Sequence, residues 1–255
     1  MIKYGVNILG LIPLRKNPND QSEMISQILF GQHFKIISSK AKWVQIITSK
    51  DNYEGWICIK QYLEINKNEY NNLSTNNYPI ALDKISQLIG IEDDIEINIP
   101  MGSILPFFEN GEIKISNKKF KFKGKTASKN LNDIINYSKL FMNSPYLWGG
   151  KSILGIDCSG FTQLIHTLCG IDLPRDAYQQ AKMGKKIKFH EIMPGDLIFF
   201  ENESNKVNHV GISLESNQII HASGKVTIDI LNKNGILNTD NNLISHKYHS
   251  AITIK

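Results

Sequence analysis

Short apolar and alternating runs recur along the first quarter of the chain: Met24–Phe30, Phe34–Ile37, Trp43–Ile47 and Gly55–Ile59. Between them lie turn signals such as Asn17-Pro18-Asn19-Asp20 and Ser49-Lys50-Asp51-Asn52. Strands this short and this closely spaced predict a small β-barrel over residues 1–66. The Asn-rich stretch that follows, 67–77, reads as a polar linker. A second β-rich segment, 78–125, has turns at Pro100-Met101-Gly102 and Glu109-Asn110-Gly111 and reads as a second, divergent barrel.

The period changes beyond residue 126. Leu131, Ile134, Ile135 and Leu140 share one helical face, with Ser128 or Asn130 as the cap. Phe161, Leu164, Ile165 and Leu168 fall at i, i+3, i+4 and i+7 of a helix that begins at Cys158 and stops at Gly170. From Asp196 strands return: 197–200, 209–214, 218–221, 226–230 and 251–254. Helices followed by consecutive strands predict an α+β domain with an antiparallel sheet over 126–255.

Composition narrows the classes. A chain of 255 residues suits two or three modest domains. With 41% apolar and 21% charged residues it is neither collagen-like nor disordered. The net charge of +5 comes from scattered lysines, and the densest patch, Lys118–Lys125, alternates with Phe120 and Phe122 as a strand does. That pattern predicts no nucleic-acid partner and only a modest bias toward anionic substrates. No apolar run reaches the ~18 residues of a membrane span. The start lacks a cationic segment leading into a long apolar core, so no export signal and a cytoplasmic location are expected, with the cell envelope as the alternative. The three cysteines lack metal-type spacing and are expected as free thiols in a reducing compartment.

Cys158 carries the clearest chemistry. In Gly155-Ile156-Asp157-Cys158-Ser159-Gly160 it opens an amphipathic helix, where unpaired N–H groups and the helix dipole favour a thiolate. Cys169, mid-pattern among apolar neighbours, and Cys58, on a barrel strand, read as packing. A thiol nucleophile needs a base and the base an orienting partner. His209 and His221, twelve residues apart on neighbouring strands, suit those two places, although strand histidines also serve as plain structural residues. His33, His166, His190, His246 and His249 lack such context and read as structural or surface.

Tyr146-Leu147-Trp148-Gly149-Gly150, Asp157-Cys158-Ser159-Gly160-Phe161, Leu173-Pro174-Arg175-Asp176, Pro194-Gly195-Asp196-Leu197, His209-Val210-Gly211-Ile212 and Ile220-His221-Ala222 occur in that order. Six motifs in register resemble the NlpC/P60 family of cell-wall cysteine peptidases. Ile12-Pro13-Leu14-Arg15 and Glu54-Gly55-Trp56-Ile57 resemble a bacterial SH3 domain. Two such domains ahead of an NlpC/P60 domain are similar to the γ-D-glutamyl-L-diamino-acid endopeptidases. The resemblance implies a papain-like core with Cys158 as nucleophile, His209 as base and His221 as orienter. It implies Tyr146 near the oxyanion; the Cys158 N–H, at the helix start, reads as a second donor and Trp148 as aromatic core. Asp157 and Ser159 would meet polar groups of the substrate, Asp176 its ammonium, and Arg175 a carboxylate or the loop itself. Ala177 stands where the family often has Ser. The first barrel would close the cleft upstream of D-Glu, with Glu23 and Tyr53 suited to gate it. No cofactor and no metal are implied. The expected substrate is a peptidoglycan-derived peptide, L-Ala-γ-D-Glu-diamino acid, cut by a monomer during murein recycling. Three rivals stand beside this reading: an endopeptidase acting on intact wall, a wall-binding protein with an inactive core, and a zinc site built from Cys158, His209 and His221.

Overall fold

The computed structural model describes residues 2–238 and 243–254. It divides into two compact units. The first runs to Ser128 and takes in Lys151–Ile153; the second holds Lys129–Gly150 and the chain from Leu154 on.

The first unit opens with β1 (Lys3–Val6), β2 (Leu11–Arg15), β3 (Met24–Leu29), β4 (His33–Lys40), β5 (Trp43–Thr48), β6 (Glu54–Cys58) and β7 (Leu63–Ile65). Their antiparallel order is β3-β2-β6-β5-β4-β1-β7, and a six-stranded barrel lies within it. Period-2 pairs point inward: Ile12 with Leu14, Phe34 with Ile36 and Val44 with Ile46 share one buried cluster with Ile28 and Ile57. The expected polar linker holds α1 (Lys67–Thr75). Asn66 Oδ1 accepts the Glu69 N–H at 2.9 Å, and Tyr70 and Leu73, at i and i+3, are buried. A cap and two well-spaced apolar residues thus outweigh the Asn-rich composition.

Next come β8 (Ile85–Gly90), β9 (Glu96–Pro100), β10 (Glu112–Ile115) and β11 (Lys118–Lys123), paired β10-β11-β8-β9. The second barrel expected over 78–125 is met only to the extent of this four-stranded sheet. Leu88, Ile99, Ile113 and Phe120 from it join Val6, Phe30, Tyr70 and Leu73 in one core, so barrel, helix and sheet pack as a single body. The short β12 (Lys151–Ser152) returns to this unit, where Gln27 Oε1 accepts the Lys151 N–H.

The second unit carries α2 (Ile134–Lys139), β13 (Gly155–Ile156), α3 (Cys158–Leu168), α4 (Ala177–Gln180), β14 (Lys185–Ile187), β15 (Leu197–Glu201), β16 (Val207–Ser213), β17 (Gln218–Ser223), β18 (Lys225–Asn232), β19 (Gly235–Leu237) and β20 (Ile244–Thr253). Its antiparallel sheet has the order β14-β20-β15-β16-β17-β18-β19. Helix α3 is buried along almost its whole length. It ends in a Schellman motif: Gly170, at φ 84°, donates to Thr167 O and Ile171 to His166 O. Trp148, expected in the core, is instead 60% exposed. No described helix is long and apolar enough to cross a membrane.

Candidate active site

Local backbone chemistry fixes the start of α3. Asp157 is the N-cap, and its Oδ1 accepts the Gly160 N–H at 2.7 Å. Its Oδ2 accepts the Gly149 N–H at 2.8 Å, tying the preceding loop to the helix. Arg175, 1% exposed, grips the same carboxylate with Nη1 at 3.0 Å and Nη2 at 2.5 Å, and Nη1 also reaches Ser159 Oγ at 2.9 Å. A bidentate guanidinium suits a buried carboxylate because both charges are compensated in place. Asp157, Ser159 and Arg175 therefore face one another and brace the turn that presents Cys158. Gln180 adds a second fastening: its Nε2 donates to Ser159 O at 3.0 Å, and its Oε1 accepts from Thr162 Oγ1 at 2.7 Å. Asp176 caps the short α4, with its N–H bonded to Gln179 Oε1 at 3.2 Å, and Ala177 is buried behind it.

Cys158 is 6% exposed. Burial, and then the Asp157 charge, push its thiol up to about 12, while the Val210 N–H, the Arg175 guanidinium and the Ser159 N–H pull the other way. The thiolate expected from a helix N-terminus is thus outweighed by desolvation, and the resting group is a neutral thiol. The pull of the Val210 N–H places the sulfur near β16, one residue beyond His209.

Strand register sets the histidines. Gly211 on β16 pairs with His221 on β17, and His221 pairs with Thr227 on β18. His209 lies two residues before Gly211 and Asp229 two beyond Thr227, so all three side chains share a face. His209 Nε2 lies 2.8 Å from His221 Nδ1, and His221 Nε2 lies 2.9 Å from Asp229 Oδ2. Gly211 makes this approach feasible: a Cβ there would stand 2.7 Å from Ile219 Cδ1 and 2.9 Å from the Cβ of His221. His246, from β20, stacks on the His209 ring at 4.0 Å between centroids and 26° between planes. Burial holds His209 well below its usual value, with His221 and His246 adding to the depression. The imidazole is therefore neutral and competent to accept a proton.

Tyr146 is half-buried, and burial, then the charges of Cys158 and Asp157, raise its hydroxyl to about 12. It stays protonated as a donor within electrostatic reach of the sulfur. Glu23 and Tyr53 belong to the first unit. Glu23 pairs with Lys16 at 3.1 Å, and Tyr53 packs against the barrel core. Cys169 is buried with its thiol raised to about 12 by burial, and then by the Asp133 charge, as for packing; Cys58 is part-exposed. Among the described residues no group of three His, Cys, Asp or Glu side chains is arranged to hold a metal ion.

Two members of the cluster lie beyond what sequence reasoning reaches. Asp229 sits inside the run Val226-Thr227-Ile228-Asp229-Ile230, where a charge among β-formers is the available signal; it is 8% exposed. His246, in Ser245-His246-Lys247, offers none.

Comparisons with known proteins agree with the architecture. The NlpC/P60 family model matches residues 143–246, and the model of the bacterial dipeptidyl-peptidase SH3 domain matches 14–61. The gamma-D-glutamyl-L-lysine dipeptidyl-peptidase of Bacillus subtilis is 31% identical over 81% of this chain and 75% of its own length. The probable endopeptidase NlpC of Escherichia coli is 44% identical over 31% of this chain and 53% of its own. A crystal structure of an NlpC/P60 family protein from Bacillus cereus superposes with a TM-score of 0.82, covering 98% of this chain and 99% of that one at 22% identity. Related to the Bacillus subtilis enzyme along most of both chains, the protein belongs to the NlpC/P60 family of cysteine peptidases and carries a bacterial SH3 domain.

Proposed function

We propose that the protein hydrolyses the bond between the γ-carboxyl of D-Glu and the diamino acid in peptidoglycan peptides, preferring fragments with a free N-terminal L-Ala, as in murein recycling. The observation that carries the chemistry is the buried line His209–His221–Asp229 beside a helix-initiating thiol that feels the Val210 N–H, one residue beyond His209. The substrate class rests on similarity along most of the chain to a protein named for γ-D-glutamyl-L-lysine cleavage.

The starting state is a neutral thiol beside a neutral imidazole. Proton transfer to His209 therefore accompanies attack of Sγ on the γ-glutamyl carbonyl rather than preceding it. The tetrahedral oxyanion takes hydrogen bonds from the Tyr146 hydroxyl and the Cys158 N–H. The protonated His209 gives its proton to the leaving amine, and a water deprotonated by the same ring then hydrolyses the thioester. Asp157, Ser159 and Arg175 hold the nucleophile's turn from behind. Asp176 is the carboxylate proposed for the substrate's ammonium. Glu23 and Tyr53 are the proposed determinants of the free-amine preference.

Cleavage of intact wall is a second reading, favoured by the local identity to the Escherichia coli protein named as a probable endopeptidase. Mass spectrometry of products from L-Ala-γ-D-Glu-L-Lys, its N-acetylated form and intact sacculi separates the two. The proposal expects L-Ala-D-Glu and free lysine from the first alone, with Cys158→Ala inert. Equal cleavage of the acetylated peptide removes the free-amine preference, and cleavage of sacculi favours the second reading.

A further inference from the structure

We propose that Asp229 is a positioning residue that sets the tautomer of His209 through His221, and so decides whether Nδ1, the ring nitrogen left to the thiol, can accept its proton. This deepens the reading of His209 as the base and rests on it.

Hydrogens can be followed along the line from its acidic end. A carboxylate only accepts, so the 2.9 Å contact to Asp229 Oδ2 places the hydrogen of His221 on Nε2. A neutral His221 then offers only a lone pair at Nδ1. The 2.8 Å contact from that atom to His209 Nε2 requires the hydrogen there to belong to His209. His209 consequently has its lone pair on Nδ1, the nitrogen not engaged by His221 and the one left to take the Cys158 proton. Reversing the line, with His221 donating through Nδ1, would place the His209 hydrogen on Nδ1 and leave no acceptor for the thiol.

The surroundings keep this order. His221 is 1% exposed and Asp229 8%, so water does not compete freely for either contact. The three residues come from three adjacent strands, whose register fixes their spacing. Stacking by His246 and contact with Phe200, at 5.8 Å between centroids, hold the plane of the His209 ring. An amide at position 229 would fit the space, and with its N–H turned to His221 Nε2 it would donate there and favour the reversed order.

The test uses the full chain labelled with 15N-histidine. Nitrogen NMR distinguishes hydrogen-bearing from lone-pair ring nitrogens, and needs no substrate. In the unsubstituted protein His209 is expected to carry its hydrogen on Nε2. Asp229→Asn, turning its amide N–H to His221 Nε2, is expected to move the His209 hydrogen to Nδ1 and to lower kcat by roughly 10²–10⁴-fold on the tripeptide, as a wrong tautomer does in triad enzymes, with KM changed less than about twofold. A hydrogen on Nδ1 of His209 in the unsubstituted protein overturns the proposal, and that spectrum is decisive even if Asp229→Asn fails to fold. A folded Asp229→Asn with one unchanged tautomer and kcat within about threefold overturns it as well. Because the spectra involve no peptide, an error in the proposed substrate leaves the tautomer result unaffected.

Discussion

Replacing Arg175 with Met separates the buried ion pair at the base of the nucleophile's helix. Asp157 Oδ1 accepts from Gly160 N–H, Nη1 and, at 3.4 Å, Ser159 Oγ, and Oδ2 accepts from Gly149 N–H and Nη2. After Arg175→Met each oxygen retains one backbone donor, but a carboxylate 4% exposed has lost its counter-charge. Removing one partner of a buried pair costs about 3–5 kcal/mol. The two remaining N–H bonds place this case at the lower end, about 3 kcal/mol, or a fall in Tm of roughly 6–12 °C. Asp157→Asn added to Arg175→Met abolishes the stranded charge and is expected to recover at least ~1 kcal/mol over Arg175→Met alone. Urea unfolding of the two variants and the parent measures both quantities. A loss below about 1 kcal/mol for Arg175→Met, or a double variant less stable than that single one, refutes the assignment of this pair to bracing the turn.

Further outcomes follow from the same geometry. Alkylation of Cys158 by iodoacetamide, read by peptide mass mapping to separate it from Cys58, should rise roughly tenfold per pH unit between about 6 and 9, because the thiol ionises only near about 12; a plateau below neutrality would reveal a preformed thiolate. Because the base must be neutral and burial depresses His209, the acidic limb of kcat/KM should lie below pH 6.5, activity being lost as pH falls through the His209 value. A limb at or above 6.5 contradicts this. Gly211→Ala forces a methyl against His221 and Ile219, with an expected stability cost of ~1–3 kcal/mol and a loss of kcat at near-constant KM; full activity would show that the histidine line tolerates displacement. Tyr146→Phe removes a protonated donor near the sulfur and should lower kcat by about 10²–10³-fold without changing Tm, whereas a kcat within about threefold assigns the oxyanion elsewhere.

Period and punctuation in the chain are enough for β3 to β6 of the barrel, for α3 and for β15 to β18 and the end of β20 in the second sheet, whereas β1, β2 and β7 are not marked in this way. They suffice there because the barrel strands bury apolar residues at period 2, β15 to β17 are short apolar runs buried on both faces, and α3 carries its apolar residues at a 3.6 period. Cys158, His209 and His221 are marked in the same way, since their neighbours Asp157, Gly160 and Gly211 are small or capping residues demanded by the local backbone. Helix α1 is hidden, because Asn and Thr dominate its composition while only Tyr70 and Leu73 do the packing. Asp229 and His246 are not legible because their roles arise from register across β18 and from a stack contributed by β20. The direction of the Cys158 shift is obscured for a related reason. A helix start is a local feature, whereas the burial that outweighs it depends on β16 and Arg175, remote in the chain.

Central to the chemistry is a covalent link from Cys158 to the γ-glutamyl carbonyl. Rapid-quench mass spectrometry of the intact protein during turnover of L-Ala-γ-D-Glu-L-Lys measures this directly. The expected result is a transient adduct with the mass of L-Ala-D-Glu less one water, mapped to the peptide bearing Cys158. An adduct on another residue, or undiminished release of lysine by Cys158→Ala, would contradict it.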